Sequence, residues 1–108
     1  MPAVVTEIDP GVCGFLGRVT ASSEDMQHVA LVIESECEKV RAFGAALESV
    51  DAFDEIQQGH GGRIQDAARQ CMVGCCAGCV VPSGVYKSVQ VAAGLALPME
   101  CSIIVKRQ

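Results

Sequence analysis

The chain has 108 residues, with 13 acidic against 8 basic side chains and a formal charge of −5. That length fits one domain over residues 1–108, and an acidic balance without a Lys/Arg block argues against a nucleic-acid partner, whose binding needs phosphate neutralisation. No apolar run approaches the roughly 20 residues of a membrane span, so no membrane partner is expected.

Half of the residues are apolar, but only 4% are aromatic and there is no Trp, so the core must be built from Val, Ala, Ile, Leu and Cys in thin, closely packed layers. The opening segment, MPAVVTEIDPG, lacks the basic end and long apolar centre of a signal peptide, and a cytoplasmic setting is expected. Disulfides are rare there, so seven cysteines point to metal binding or thiol chemistry, and their odd number forbids complete internal pairing.

In chain order, residues 3–8 (AVVTEI) predict a short strand, closed by the turn signal Asp9-Pro10-Gly11. Residues 14–21 predict a second strand. After the polar turn Ser22-Ser23-Glu24-Asp25, residues 27–34 predict a third, with Val29, Leu31 and Ile33 at period two. Together these make an antiparallel meander. Ser35 and Glu38 have the spacing of a capping box, and Cys37, Val40, Phe43 and Leu47 follow at helical spacing, which predicts a helix over 36–49. Residues 51–57 add a short helical turn, on which Asp51, Asp54 and Glu55 form a solvated face. The stretch Gln58-Gly59-His60-Gly61-Gly62 is the loosest in the chain.

A second helix runs from Arg63 into the cysteine-rich region, with Ile64, Ala67, Ala68, Cys71, Met72 and Cys75 on one face. A small-residue helix follows over 83–96, with Val85, Val89 and Ala92 inward and Leu97-Pro98 as its stop. Residues 101–105 predict a last strand. The fold class is therefore α+β, a small antiparallel sheet of three to four strands with helices packed on one face.

The seven cysteines divide by position. Cys13 sits between the Pro10-Gly11 turn and the second strand; a loop-borne ligand and a half-buried strand-edge thiol fit that place equally. Cys37 falls in the first turn of the helix, where unpaired N–H groups favour a thiolate. Cys71, Cys75, Cys76 and Cys79 form C-x3-C-C-x2-C. The first two lie on an apolar face and read as core, whereas Cys79, at the Gly78 break, is the candidate ligand or nucleophile, with Cys76 as its substitute. Cys101 alternates with Ile103 and Val105 and reads as core. His28 reads as a surface strand residue, and His60 as a loop residue able to swing toward a site.

A Cys-Gly before a hairpin, a cysteine opening the next helix and a third ahead of an alanine-rich helix resemble the IscU/NifU-type iron–sulfur scaffold proteins over about residues 10–96. The resemblance implies three cysteines on loops at one end of a sheet, here Cys13, Cys37 and Cys79, holding a nascent cluster or zinc. The chain departs from that family in having Phe15 where the scaffolds have Asp, and Gly78 where they have His before the third cysteine. The segments CGF, SEC and CVVPSGVYK are also similar to a family of small uncharacterised cysteine-containing proteins of anaerobes, which carries no known activity.

The expected function is a metal- or iron–sulfur-binding protein using Cys13, Cys37 and Cys79, with the fourth position going to Cys76, His60, solvent or a partner. A protein partner would donate or receive metal or sulfur. The alternatives are a thiol-redox or sulfur-carrier protein, in which Cys79 attacks and Cys37 or Cys76 resolves, and a non-catalytic module that assembles a homo-oligomer through its apolar faces.

Overall fold

The computed structural model describes residues 3–108, the side chain of Cys75 excepted. Its sheet has four strands: β1 (Val4–Ile8), β2 (Gly17–Ser22), β3 (His28–Ser35) and β4 (Ser49–Asp51), antiparallel throughout and in the order β1-β2-β3-β4. Four helices accompany it: α1 (Glu38–Ala45), α2 (Ala52–Gln58), α3 (Arg63–Cys71) and α4 (Val81–Ala92). Short 3-10 turns at Gly59–Gly61 and Gly74–Gly78 precede α3 and α4.

The period-two pattern fixes which side of the sheet is covered. Val19 and Ala21 on β2 and Val29 and Leu31 on β3 are buried, whereas Arg18, His28, Ala30, Val32 and Glu34 face solvent. All the helices lie on the buried side. Helix α1 packs on β3, α4 on β1 and β2, and α3 against both α1 and α4. Phe43, Leu47, Ile64, Val81, Val85 and Val89 fill the space between the layers.

The approach of α4 to β1 depends on a missing side chain. A Cβ at Gly84 would collide with Cδ1 and Cγ1 of Ile8, so only glycine lets the helix lie this close without displacing that side chain. One turn on, the buried Ser88 hydroxyl bridges the Thr6 hydroxyl at 2.6 Å and the Gly84 carbonyl at 2.7 Å. These contacts set the direction of α4, with its start beside Ile8 and its later turns toward the other end of β1.

Several boundaries differ from the sequence expectation. The first helix begins at Glu38, because Ser35 is still in β3, paired with Gly17. It ends at Ala45, and residues 49–51 become the fourth strand, with Val50 opposite Val29. The expected strand over 101–105 is irregular and exposed, and among the described residues no strand pairs with it. Cys101, expected in the core, is accordingly exposed, and Cys71, at the end of α3, is half-buried.

Glu55 departs furthest from expectation. It is 2% exposed, and its carboxylate accepts from the Arg63 N–H at 2.9 Å and the Ile64 N–H at 3.0 Å. Helix α3 has Gly62 at its N-cap and no side chain of its own there, so Glu55 of α2 supplies the missing acceptors. Replacing Glu55 by Ala should cost about 1–3 kcal/mol in urea unfolding, since one buried and one part-buried N–H group lose their partner. Glu55→Gln, which keeps one acceptor oxygen, should cost clearly less.

Candidate functional site

The sheet has two chemically distinct ends. At the first, the end of β1, the start of β2 and the end of β3 lie in one row, Ile8 opposite Gly17 and Gly17 opposite Ser35. The loop of residues 9–16 leaves from this end and carries Cys13, which is exposed; the Gly14 N–H closes a turn on the Gly11 carbonyl at 2.9 Å just around it. Two residues beyond Ser35 comes Cys37. The start of α4 lies at the same end, because Val81 approaches Gly17 and Gly84 approaches Ile8. Cys79 is two residues before Val81. The topology thus carries Cys13, Cys37 and Cys79, 24 and 42 residues apart in sequence, to one end of the sheet.

The turn at Gly74–Gly78 belongs to this end as well, since Lys39 of α1 donates from Nζ to the Val73 carbonyl at 3.1 Å. Within that turn the Cys79 N–H donates to the Cys76 carbonyl at 3.0 Å. Side chains three residues apart eclipse one another in 3-10 geometry, so Cys76 and Cys79 sit on one side of the chain. Cys37, Cys76 and Cys79 are each half-buried and packed against the core. The expectation for the Cys75 side chain lies outside the described residues.

Cys37 is the N-cap of α1 rather than a member of its first turn, with extended backbone (φ −73°, ψ 122°). Its carbonyl accepts from the Arg41 N–H at 2.9 Å, and its own N–H donates to Ser35 Oγ at 3.1 Å. The Ser35–Glu38 capping box is therefore not formed; Ser35 supports the residue before the helix instead. Among the described residues, no three His, Cys, Asp or Glu side chains stand grouped as metal ligands. His60 lines a different cleft of about 400 Å³, beside Ser83, Tyr86 and Lys87 on the flank of α4.

The opposite end of the sheet is polar. Ser23 and Asp25 shape the β2–β3 turn: Ser23 Oγ accepts from the Met26 N–H at 2.9 Å, and Asp25 Oδ1 accepts from the N–H groups of Gln27 and His28 at 2.9 and 2.8 Å. Asp51 caps α2 by accepting from the Phe53 and Asp54 N–H groups, and its other oxygen accepts from Gln27 Nε2 at 2.8 Å. His28 bridges the two acids, with Nδ1 2.7 Å from Asp25 and Nε2 3.7 Å from Asp51. A shallow cleft of about 370 Å³ opens beside it. This arrangement was not visible in sequence, where His28 reads as an isolated strand position.

The model of DUF6951, a family of unknown function, matches residues 4–105. The chain belongs to that family. The match takes in all three candidate cysteines, the C-x2-C turn and the segment at 101–105. No curated protein and no solved structure matches the chain. Among the described residues, no helix is long and apolar enough to cross a membrane.

The hydrogen bond and charge of Asp25, with a smaller contribution from Asp51, hold the His28 imidazolium above its ordinary value. Asp25 in turn is held well below the usual carboxylate range by the His28 side chain and by the backbone N–H groups of His28 and Gln27. A raised imidazole value contributes stability that is fully present below the unfolded value near 6.5 and is lost as pH rises through the folded one. The wild type should therefore lose stability relative to His28→Gln as pH rises above about 6.5. Parallel curves for the two proteins in urea titrations across that rise would contradict the pairing.

Proposed function

We propose that the protein binds a metal ion or an iron–sulfur cluster through Cys13, Cys37 and Cys79, with Cys76 as the fourth donor. The observation that carries this reading is the gathering of three distant cysteine-bearing segments at one end of the sheet. The donor chemistry suits the group: soft thiolates select zinc, Cu(I) or iron–sulfur clusters over hard cations. Three of the four sulfurs are half-buried, which limits competition from water, and the fourth lies on an exposed loop. Binding would draw these thiols within about 4 Å of one another, as a metal–sulfur distance of about 2.3 Å demands. Folding energy and metal affinity would then be linked.

An exposed Cys13 gives the site one accessible side. That suits a carrier exchanging its cargo with a protein partner in a reducing, cytoplasmic setting, in the manner of the iron–sulfur scaffolds that the cysteine order resembles.

A second reading is favoured by the Cys76–Cys79 turn ahead of α4. Here the Cys79 thiolate attacks an external disulfide and releases one of its sulfurs as thiolate. The Cys76 thiolate then displaces the other from the mixed disulfide, leaving Cys76–Cys79 oxidised and the external disulfide reduced.

Anaerobic purification with metal analysis and an absorption spectrum separates the two. Metal binding predicts about one zinc or one cluster per chain. Losing a group in the outer shell of a metal site costs about 10–100-fold in affinity, so loss of a thiolate in Cys37→Ser or Cys79→Ser should cost more than that. Cys71→Ser and Cys101→Ser should bind normally. A protein that takes up neither zinc nor iron, or whose metal survives both Cys37→Ser and Cys79→Ser, would sink the reading.

A further inference from the structure

Residues 101–105 (Cys-Ser-Ile-Ile-Val) have the β-branched composition of a strand, yet Ile103, Ile104 and Val105 are 75%, 75% and 90% exposed. Leu97 and Met99 before them are equally open. Among the described residues, no hydrogen bond joins residues 96–108 to the rest of the chain. Exposed apolar segments of this size mark interaction sites. The family match runs to Val105, so the segment belongs to the unit the family shares.

The same molecule has a bare strand edge. Among the described residues, in the order β1-β2-β3-β4, β1 pairs only with β2, and its five residues Val4–Ile8 carry no Pro, Lys or Arg to blunt their free side. Among the described residues, no hydrogen bond joins the segment to its own β1. We propose that residues 101–105 of one copy add as a strand to β1 of a second copy, reciprocally, closing a two-fold dimer.

The rows on the solvent face select the register. One row reads Val5, Thr20, Val32, and the next Glu7, Arg18, Glu34. A parallel addition that sets Ile104 beside Val5 sets Lys106 beside Glu7. The first row then becomes Ile-Val-Thr-Val, wholly β-branched, and the second Lys-Glu-Arg-Glu, alternating in sign. On the other face, Ile103 and Val105 come beside Val4 and Thr6, on the side where α4 lies. An antiparallel addition through Ile104 and Val5 puts Ser102 beside Glu7 and gives Lys106 no acidic neighbour in β1.

Sedimentation velocity over a range of protein concentrations, with reductant and chelator to remove disulfide- and metal-linked species, tests the pairing independently of the metal reading. The expected result is a reversible dimer. Ile104→Lys should abolish it while leaving the circular dichroism spectrum unchanged. Glu7→Lys should weaken it about tenfold, and Glu7→Lys with Lys106→Glu should restore it. Hydrogen exchange of the β1 amides should slow as concentration rises. A monomer at every concentration overturns the proposal, as does a dimer indifferent to Ile104→Lys. So does β1 protection that is independent of concentration, the signature of a segment folding onto its own β1.

Discussion

The close contact of α4 with β1 and β2 decides most of what this chain can do. Because Gly84 has no side chain, the start of α4 settles against Ile8, while Val81 reaches Gly17. That places the turn ahead of α4 at the end of the sheet where the loop before β2 and the exit of β3 already lie. Without this packing Cys79 would have no fixed relation to Cys13 or Cys37, since nothing in the covalent chain holds them together. The Ser88 hydroxyl, bridging Thr6 and Gly84, locks the same contact one turn further along. A core poor in aromatic residues makes such closeness feasible, for Val, Ala and Gly allow two layers to approach without interlocking rings.

The second constraint is polar. Helices α2 and α3 follow each other through a glycine-rich turn that supplies no capping side chain, so α3 would begin with its first N–H groups unpaired inside the protein. Glu55 removes that penalty from α2 and welds the two helices together. Asp51 does the corresponding work for α2 while also holding Gln27 across the β3–β4 pair. Asp25, Asp51 and His28 therefore organise the end of the sheet at the β2–β3 turn.

The meander was legible because alternation over six to eight residues in β2 and β3 has no helical interpretation, and a solvated face beside a buried one fixes their orientation. Strand β4 was not. Leu47 and Val50 continue the helical spacing of Val40 and Phe43, and a three-residue strand is too short to show a period. Only the pairing of Val50 with Val29 reveals it. The start of α1 differs from expectation for a related reason: the Ser35–Glu38 spacing satisfies a local capping rule, but Ser35 is held in the ladder opposite Gly17, and tertiary pairing outranks a local cap. Glu55 lies in an acidic stretch that has every local mark of a solvent-facing helix. Its burial follows from Gly62 and Arg63, seven and eight residues later, folding back over it.

The cysteines show the limit of periodicity in its sharpest form. Spacing tells which face of an element a residue occupies; it does not say whether anything covers that face. Cys71, Met72 and Ile64 share a stripe of α3, yet Ile64 and Met72 are buried while Cys71, at the helix end, is only half covered. Cys101 alternates with two β-branched residues as a core strand position would, yet it is exposed, and among the described residues no strand pairs with its segment. Cys13, Cys37 and Cys79 stand out on another basis, as residues at element boundaries, and boundaries are set by the order of the elements. The loop before β2 and the exit of β3 share one end because β1, β2 and β3 are antiparallel, and the start of α4 joins them because Val81 and Gly84 pack on Gly17 and Ile8. Antiparallel pairing and helix packing, not spacing along the chain, thus bring the three cysteine-bearing segments to one end of the sheet.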